Sequence, residues 1–169
     1  MKRKSLSVTK KTLNFYLTKL KDPQVRKLYS LFSNNLASMD LTNKKIMVGV
    51  SGGADSLAVL FFSQCYALKH HTKLYPVIID HKLRKESTIE AKNLKYKLKQ
   101  NFKINCKILS KKIVKINKNI QSYARDLRYD LFFEECNKQK IDYLILGHHK
   151  DDLIENFFIR FLRGSGLKL

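Results

Sequence analysis

The sequence predicts an α/β fold in which a parallel sheet carries helices on both faces. Two observations point to it. Short apolar runs alternate along the chain with longer segments of helical periodicity, an order typical of strands joined by crossover helices. Polar and charged residues directly follow several of the apolar runs, and the carboxyl ends of parallel strands are where such sheets bind ligands.

Two helices are predicted ahead of the first strand, the second one starting after Pro23. The absence of Asp and Glu from residues 1–21 also suits an organelle transit peptide, but the helical spacing favours the start of the domain. We expect residues 1–43 to form a helical segment packed on the core. Residues 44–169 would form the main unit, within a single domain overall. The apolar positions that define the two helices are Leu13, Tyr16, Leu17 and Leu20, then Val25, Leu28, Tyr29, Phe32 and Leu36.

The remaining elements are predicted from apolar runs and helical stripes. Ser87 and Glu90 are spaced as a capping box, which predicts the start of a helix at Ser87. Strands are predicted over 46–50, 74–80, 104–109 and 141–146. Helices are predicted after the first strand through Leu68, over 87–102, over 120–136, and from Asp152 onwards.

The first strand runs into Ser51-Gly52-Gly53-Ala54-Asp55-Ser56, a segment that we call the phosphate loop. Two adjacent glycines allow backbone angles closed to other residues and let an anion approach the main chain. Ser51 and Ser56 add hydroxyl donors, and the next helix adds the amides and partial positive charge of its N-terminus. The loop therefore predicts a pyrophosphate site. An ordinary strand-to-helix turn is the alternative. The Gly-Lys-Ser/Thr ending of a Walker loop is absent.

The chain carries a formal charge of +20, distributed unevenly. No acidic residue occurs from Ala91 through Arg125. Such a segment attracts polyanions, and we expect nucleic acid, since each neutralised phosphate releases counterions. A lysine-rich face that is merely solvated is the alternative. The lysines of this run are Lys92, Lys95, Lys97, Lys99, Lys103, Lys107, Lys111, Lys112, Lys115 and Lys118.

Cysteine usage and hydropathy limit the class of protein. Cys65, Cys106 and Cys136 are isolated and odd in number, which fits neither a disulfide framework nor a Cys-x-x-Cys pair and favours a reducing compartment. No apolar run approaches the roughly 20 residues of a membrane-spanning helix, so no membrane partner is expected.

A second group of polar residues follows the last predicted strand. His148, His149, Asp151, Asp152 and Glu155 place two histidines and three carboxylates within eight residues. Such a group suits a divalent metal or acid–base chemistry. Simple helix capping by Asp151 beside solvated histidines is the alternative. We expect the His148 and Asp152 side chains to converge with the phosphate loop, because neighbouring parallel strands end side by side.

The phosphate loop resembles the PP-loop of the ATP pyrophosphatases. The whole set of motifs resembles bacterial-type tRNA(Ile)-lysidine synthetases over about residues 44–167. The other segments that carry this resemblance are Asp80-His81-Lys82-Leu83-Arg84, Ala124-Arg125-Asp126-Leu127-Arg128-Tyr129 and the run from Gly147 through Leu167. The family usually has Gly, Gln and Thr where Lys82, Leu153 and Asn156 stand.

The resemblance implies a PP-loop ATPase fold, which is adenine nucleotide alpha hydrolase-like and Rossmann-like. It also implies that ATP and Mg²⁺ are used to adenylate the C2 oxygen of the wobble cytidine in an isoleucine tRNA, after which free lysine displaces AMP. ATP would bind at Ser51, Gly52, Gly53, Ala54, Asp55 and Ser56. His148, Asp152 and Asp55 would be catalytic, with Asp55 and Asp152 holding magnesium. Phosphate or tRNA contacts would come from Arg84, Arg125, Arg128, Arg160 and Arg163.

Members of this family continue beyond the point where this chain stops, so we expect a truncated or split version. A second polypeptide or a homodimer partner would then complete it. One alternative is a tRNA-binding remnant without full activity. Another is a tRNA-thiolating PP-loop enzyme, which would need a persulfide cysteine or a cluster-binding Cys-x-x-Cys. AT-rich residue usage predicts an organelle-encoded protein, mitochondrial or plastid, with bacterial cytoplasm as the second setting.

Overall fold

The structure is a computed structural model that describes residues 10–84, 86–111 and 120–147. In these ranges two helices precede four strands, and helices connect the strands. The helices are α1 Lys10–Lys19, α2 Pro23–Ala37, α3 Ala54–His70, α4 Ser87–Phe102 and α5 Ile120–Gln139. The strands are β1 Lys45–Gly49, β2 Lys73–Asp80, β3 Lys107–Ser110 and β4 Tyr143–Leu146.

The four strands form one parallel sheet in the order β3-β2-β1-β4. The chain moves outward from β1 through β2 to β3 and then crosses back to place β4 on the other side of β1. Gly49 at the end of β1 pairs with Val77 of β2 and Leu146 of β4. The reversal of strand order therefore falls between β1 and β4, at the type of position where open α/β sheets bind ligands.

Helices cover both faces of the sheet, as predicted. Ile46 and Val48 face one side, where they join a core that includes Leu60 of α3 and Leu98 of α4. Met47 faces the other side and packs in a second cluster with Phe132 and Cys136 of α5. Because successive residues of a strand point to opposite faces, one apolar run supplies both cores. The α/β prediction is confirmed.

The N-terminal helices form an outer layer against α3. The Tyr16 ring lies 5.3 Å from that of Phe61, and the Phe32 ring lies 5.8 Å from that of Phe62. The buried Tyr16 also donates a hydrogen bond from its hydroxyl to the Phe102 carbonyl at the end of α4. Residues 10–43 thus pack on the helices that cover the sheet, while the division of the chain at residue 43 stays a prediction.

Two predicted strands begin later than expected, for a shared reason. The Ile104 amide donates to the Leu98 carbonyl and the Ile141 amide to the Cys136 carbonyl, each just after a lysine with a left-handed backbone. These are the hydrogen bonds that end α4 and α5. Ile104 and Ile141 are buried as the apolar residues of helix ends, so β3 begins at Lys107 and β4 at Tyr143.

Candidate active site

A cavity of about 620 Å³ opens at the carboxyl edge of the sheet. Its walls come from the end of β1 and the phosphate loop, the end of β2 and the segment after it, and the first turns of α4. Arg128 and Phe132 of α5 and Leu146 and Gly147 at the end of β4 complete the lining. A cavity of this size falls in the range of small-molecule and nucleotide sites.

The phosphate loop is held in shape by the hydroxyl of Ser56. This side chain is 4% exposed, and its Oγ accepts from the amides of Ser51 and Gly52, each at 3.2 Å. The same Oγ accepts from the Ser51 hydroxyl at 3.1 Å and donates to the Gly53 carbonyl at 2.9 Å. Ser56 therefore organises the loop from inside, and its predicted contact with ATP stays a prediction.

The exposed side of the phosphate loop is suited to an anion. Gly52 has φ of 90°, a conformation that glycine adopts without strain, and Gly53 caps α3 without a side-chain hydrogen bond. The first-turn amides of a helix have no acceptor within the helix, and they carry the positive end of its dipole. This arrangement fits the phosphates of a nucleotide.

The end of β4 lies directly against the phosphate loop. A Cβ built on Gly147 would lie 2.7 Å from the Ser56 amide nitrogen and 2.9 Å from the Asp55 carbonyl carbon. Only a residue without a side chain fits there, because backbone atoms of α3 occupy the space. The backbone immediately before His148 therefore contacts the first turn of α3.

The segment after β2 is held by the carboxylate of Asp80, which is 3% exposed. Its Oδ1 accepts from the Lys82 amide and the Ser87 hydroxyl at 3.0 Å each, and its Oδ2 accepts from the Thr88 hydroxyl at 2.7 Å. Burial alone would raise the pKa of Asp80, but the hydrogen bonds from these three residues outweigh it, and the pKa is lowered. Asp80 is therefore a buried carboxylate that fixes the start of α4.

The capping box predicted for α4 is wrong. The N-cap is Glu86, which makes no side-chain capping bond, and the Ser87 hydroxyl donates toward Asp80 and the Arg84 carbonyl. Glu90 accepts from Arg84 at 3.1 Å, in an exposed ion pair at the rim of the cavity. The local pattern was overridden because a buried carboxylate competes for the serine.

His81 and Arg128 meet in the wall of the cavity. The Arg128 Nη2 atom lies 3.4 Å from His81 Nε2, and both side chains are half-buried. Because a guanidinium only donates, Nε2 accepts and the neutral ring carries its proton on Nδ1. Nδ1 is buried and has no partner among the described residues. Burial and the Arg128 charge lower the pKa of His81, which favours this neutral form.

The sequence matches the PP-loop domain family over residues 20–169. The chain belongs to the PP-loop domain family. This match agrees with the geometry of the phosphate loop at the end of β1, and it confirms the family resemblance drawn from the loop sequence.

Curated relatives named tRNA(Ile)-lysidine synthase are similar to this PP-loop chain. The protein from Orientia tsutsugamushi is 43% identical over 125 residues, covering 74% of this chain and 28% of its own length. That from Rickettsia rickettsii is 35% identical, covering 83% and 30%, and that from a Wolbachia of Brugia malayi is 36% identical, covering 83% and 33%. The chain thus spans about a third of the length of these relatives. They are bacterial and lend no support to a mitochondrial or plastid setting.

Solved structures also include proteins that are similar in fold to this PP-loop chain. One of them is the U34-tRNA thiolase NcsA from Methanococcus maripaludis with its [4Fe-4S] cluster, at a TM-score of 0.65 and 21% identity. The match covers 82% of this chain and 52% of that one. At this identity the likeness supports the PP-loop α/β fold alone.

The predicted site residues of this PP-loop domain fall into three groups. Ser51, Gly52, Ser56, Arg84 and Arg128 line the cavity together. Gly53, Ala54, Asp55 and Arg125 are not part of its lining. His148, Asp152, Arg160 and Arg163 lie outside the described residues, as do His149, Asp151, Leu153, Glu155 and Asn156.

Asp55 and Arg125 differ in their surroundings. The Asp55 side chain is exposed in the first turn of α3, beside the phosphate loop. Arg125 is half-buried on α5, with its guanidinium carbon 6.0 Å from the centre of the Tyr129 ring. Burial and, to a smaller extent, the nearby charge of Arg125 lower the pKa of Arg128.

Magnesium was predicted to bind Asp55 and Asp152. In the part of the chain that the structure describes, no three His, Cys, Asp or Glu side chains are grouped closely enough to hold a metal ion. Asp55 fits Mg²⁺ in chemistry, since carboxylate oxygens at one or two positions together with substrate phosphates are its usual ligands. Asp152 lies outside the described residues, so the pair stays a prediction.

The three cysteines of the sequence are free and buried. Cys65 and Cys106 belong to one core and Cys136 to the core on the other face of the sheet. Burial raises the pKa of the Cys65 and Cys106 thiols to about 12. Few thiolates would form at neutral pH, which does not suit persulfide or cluster chemistry.

The lysine run divides into two groups. Lys107 pairs with the buried Glu135 at 2.7 Å and Lys111 with Glu134 at 3.1 Å, so these lysines join β3 and the residue after it to α5. Lys92, Lys97 and Lys99 are exposed on α4 and form no ion pair with any described residue. Lys112, Lys115 and Lys118 lie outside the described ranges. In the sequence these lysines form one basic segment. In the structure some of them are paired with acids of α5, and others on α4 are not.

His81 and Asp80 were missed as individual site residues. The signal for both was their position directly after a buried strand, within a charged segment that the sequence already placed at the ligand edge. Leu94 was also missed, because its helical spacing is typical of ordinary core. It lines the cavity, and a Cβ added at Gly52 would lie 3.3 Å from its side chain.

No helix in the described ranges has the length and apolar character needed to cross a membrane.

Proposed function

We propose that this PP-loop domain uses ATP to attach lysine to C2 of the wobble cytidine in the CAU anticodon of an isoleucine tRNA. The observation that carries the proposal is the cavity at the β1–β4 reversal, where the phosphate loop, Arg128 and the residue preceding His148 meet. The similarity to bacterial tRNA(Ile)-lysidine synthases supports the choice of substrates and favours the bacterial cytoplasm over an organelle.

The reaction would run in two steps. The C2 oxygen attacks the α-phosphorus of ATP, and the bond to pyrophosphate breaks. An amino group of lysine then forms a bond to C2, the C2–O bond breaks, and AMP departs with that oxygen. The oxygen is a poor leaving group until AMP is attached, so the adenylated tRNA intermediate makes the second step possible.

The described residues would bind and orient ATP. The first turn of α3 and the Gly52 backbone suit its phosphates, and Arg128 adds a fixed positive charge at the wall. Asp55 would hold Mg²⁺, which supplies charge stabilisation at the departing pyrophosphate. His148 would contact the adenylated intermediate, and Asp152 would serve in metal binding or acid–base chemistry.

Thiolation of tRNA is the less suitable reaction for this chain. The three cysteines are buried and lie in two cores on opposite faces of the sheet. A tRNA-binding remnant without catalysis remains the second candidate, and its distinguishing property would be RNA binding without AMP release.

The test is lysine incorporation and AMP release by the 169-residue chain with ATP, Mg²⁺ and an isoleucine tRNA transcript carrying CAU. We expect Asp55→Asn, His148→Ala and Asp152→Ala each to slow the reaction by about two orders of magnitude or more with little change in melting temperature. Asp142→Asn, an exposed carboxylate ahead of β4, is the matched control and should leave the rate unchanged. Activity that survives all three changes would rule out the proposed roles, and RNA binding without AMP release would favour the remnant.

A further inference from the structure

The outer face of α4 combines exposed apolar side chains with lysines. Ile89 and Tyr96 are 60% and 64% exposed and lie two helical turns apart. Lys92 and Lys99 fall on the same side, three residues after Ile89 and three residues after Tyr96. We call Ile89, Lys92, Tyr96 and Lys99 the α4 stripe.

The orientation of this stripe is fixed by the opposite side of the helix. Ala91 and Leu98 are 6% and 1% exposed and belong to the core that covers β1 and β2. A helix anchored on one side must present the other to solvent. The exposure of Tyr96 is therefore a consequence of how α4 packs.

The stripe is positively charged and unneutralised by its neighbours in the sequence. Lys92 and Lys99 form no ion pair with a described residue, unlike Lys107 and Lys111, which are paired with acids of α5. No acidic residue occurs between Ala91 and Arg125. A second copy of this chain would bring like charge to the stripe, so charge complementarity favours an anionic partner.

The amino-terminal end of the stripe lies on the turns of α4 whose inner side lines the cavity. Glu90, Ala91 and Leu94 in the first turns of α4 line it, and Ile89 precedes them. From Ile89 to Lys99 the stripe is roughly 15 Å long at the rise of an α-helix. A ligand lying along the stripe would have one end on the turns of α4 that line the cavity with their inner side.

We propose that the α4 stripe binds a single-stranded segment of RNA, with a base stacked on Tyr96 and phosphates at Lys92 and Lys99. Exposed aromatic rings among basic residues suit single strands, because every base has a face that can stack and the backbone supplies regular negative charge. The inference deepens the proposed function, on which it rests, by assigning a surface that would guide the RNA substrate to the cavity.

The experiment measures binding of the 169-residue chain to a labelled single-stranded RNA oligonucleotide, to its duplex and to the isoleucine tRNA transcript. Affinity is followed over a series of salt concentrations. We expect Tyr96→Ala to weaken single-strand binding about 5- to 100-fold without changing the salt slope, whereas Tyr96→Phe keeps most of the affinity. Lys92→Gln/Lys99→Gln should reduce the slope of log affinity against log salt by about 1.4, or 0.7 for each lost contact.

Lys27→Gln/Lys138→Gln is the charge-matched control, since both lysines are exposed on other helices. Equal losses of RNA affinity in the control and in the stripe lysine variant would overturn the proposal. Unchanged affinity in Tyr96→Ala would overturn it too, and so would absence of RNA binding by the wild-type chain. Unchanged affinity would leave the stripe as a surface for an acidic protein. Melting temperatures of all variants establish that each is folded.

The two proposals fail separately. If the stripe variants lose RNA affinity but the wild-type chain releases no AMP, the proposed function fails and the stripe stands. If the wild-type chain transfers lysine while the stripe variants bind RNA normally, the function stands and the stripe is wrong.

Discussion

The segments that follow β1 and β2 do the same structural task with different chemistry. Each leaves the carboxyl edge of the sheet, lines the cavity and enters a helix. The first is held by the neutral hydroxyl of Ser56, and the second by the carboxylate of Asp80. Each also contains a backbone with positive φ, at Gly52 in the first and at Lys82 in the second.

The difference in charge decides where an anion can bind. The Ser56 hydroxyl places no buried charge beneath the positive end of α3, and the carboxylate in its first turn, Asp55, is exposed to solvent beside the loop. The N-terminus of α4 instead has the Asp80 carboxylate beneath it, and Glu86 and Glu90 lie near its start. These carboxylates offset the dipole of α4. We therefore expect the phosphates at α3, while the segment after β2 supplies side-chain contacts.

The largest effect is expected from removing the Asp80 carboxylate. Asp80→Ala would leave the Lys82 amide and the Thr88 hydroxyl without their acceptor, while the Ser87 hydroxyl keeps the Arg84 carbonyl. We expect a loss of about 3 kcal/mol in the free energy of unfolding. Asp80→Asn retains a carbonyl acceptor and should cost less. Urea unfolding of both variants measures this order, and an Asp80→Ala loss no greater than that of Asp80→Asn would contradict it.

A smaller loss is expected from Ser56→Ala, about 1 to 2 kcal/mol, because the freed loop amides can still reach solvent at the cavity. Ser63→Ala is the matched control: Ser63 is 1% exposed on the same helix, and its hydroxyl has no partner among the described residues. Its replacement should be close to neutral. Thermal unfolding compares the two, and equal losses would show that the Ser56 hydrogen bonds contribute nothing specific.

The same comparison shows how far sequence reasoning reaches. The phosphate loop was predicted because a glycine pair, serines and a helix start are all local signals. The role of Asp80 depends on Ser87 and Thr88, seven and eight residues away, and the contact of His81 with Arg128 spans 47 residues. Such pairings are set by packing. The late starts of β3 and β4 have the same origin, since Ile104 and Ile141 follow the strand pattern but complete helix ends.

Replacing Lys82 should stabilise the protein. Its φ of 49° lies in the left-handed region, where a side chain costs energy and glycine is free of that cost. We expect Lys82→Gly to raise the free energy of unfolding by about 0.5 kcal/mol, after the greater entropy of glycine in the unfolded chain is subtracted. Lys82→Ala removes the charge but keeps the strain and is the control. A gain in the alanine variant as large as that in the glycine variant would assign the effect to charge.

The smallest effect concerns His81, the side chain by which the segment after β2 meets α5. Burial first, and then the Arg128 charge, lower the pKa of His81, while Asp80 partly offsets them. The unfolded chain, with an ordinary histidine pKa of about 6.5, therefore binds a proton more readily than the folded one. The free energy of unfolding should fall as pH decreases from about 6.5 toward the lowered pKa, and the contribution is complete above that window.

The variant His81→Gln lacks this titration, so its unfolding free energy should decline less than that of the wild type between about pH 7 and 5.5. His71→Asn, at an exposed histidine with a left-handed backbone that asparagine tolerates, is the control and should keep the wild-type slope. Urea unfolding at several pH values measures the slopes. Because Arg128 supplies part of the shift, Arg128→Gln should give an intermediate slope. If instead the unfolding free energies of wild type and His81→Gln decline equally, the contact between His81 and Arg128 does not control the protonation of His81. The neutral ring at the cavity wall would then be wrong.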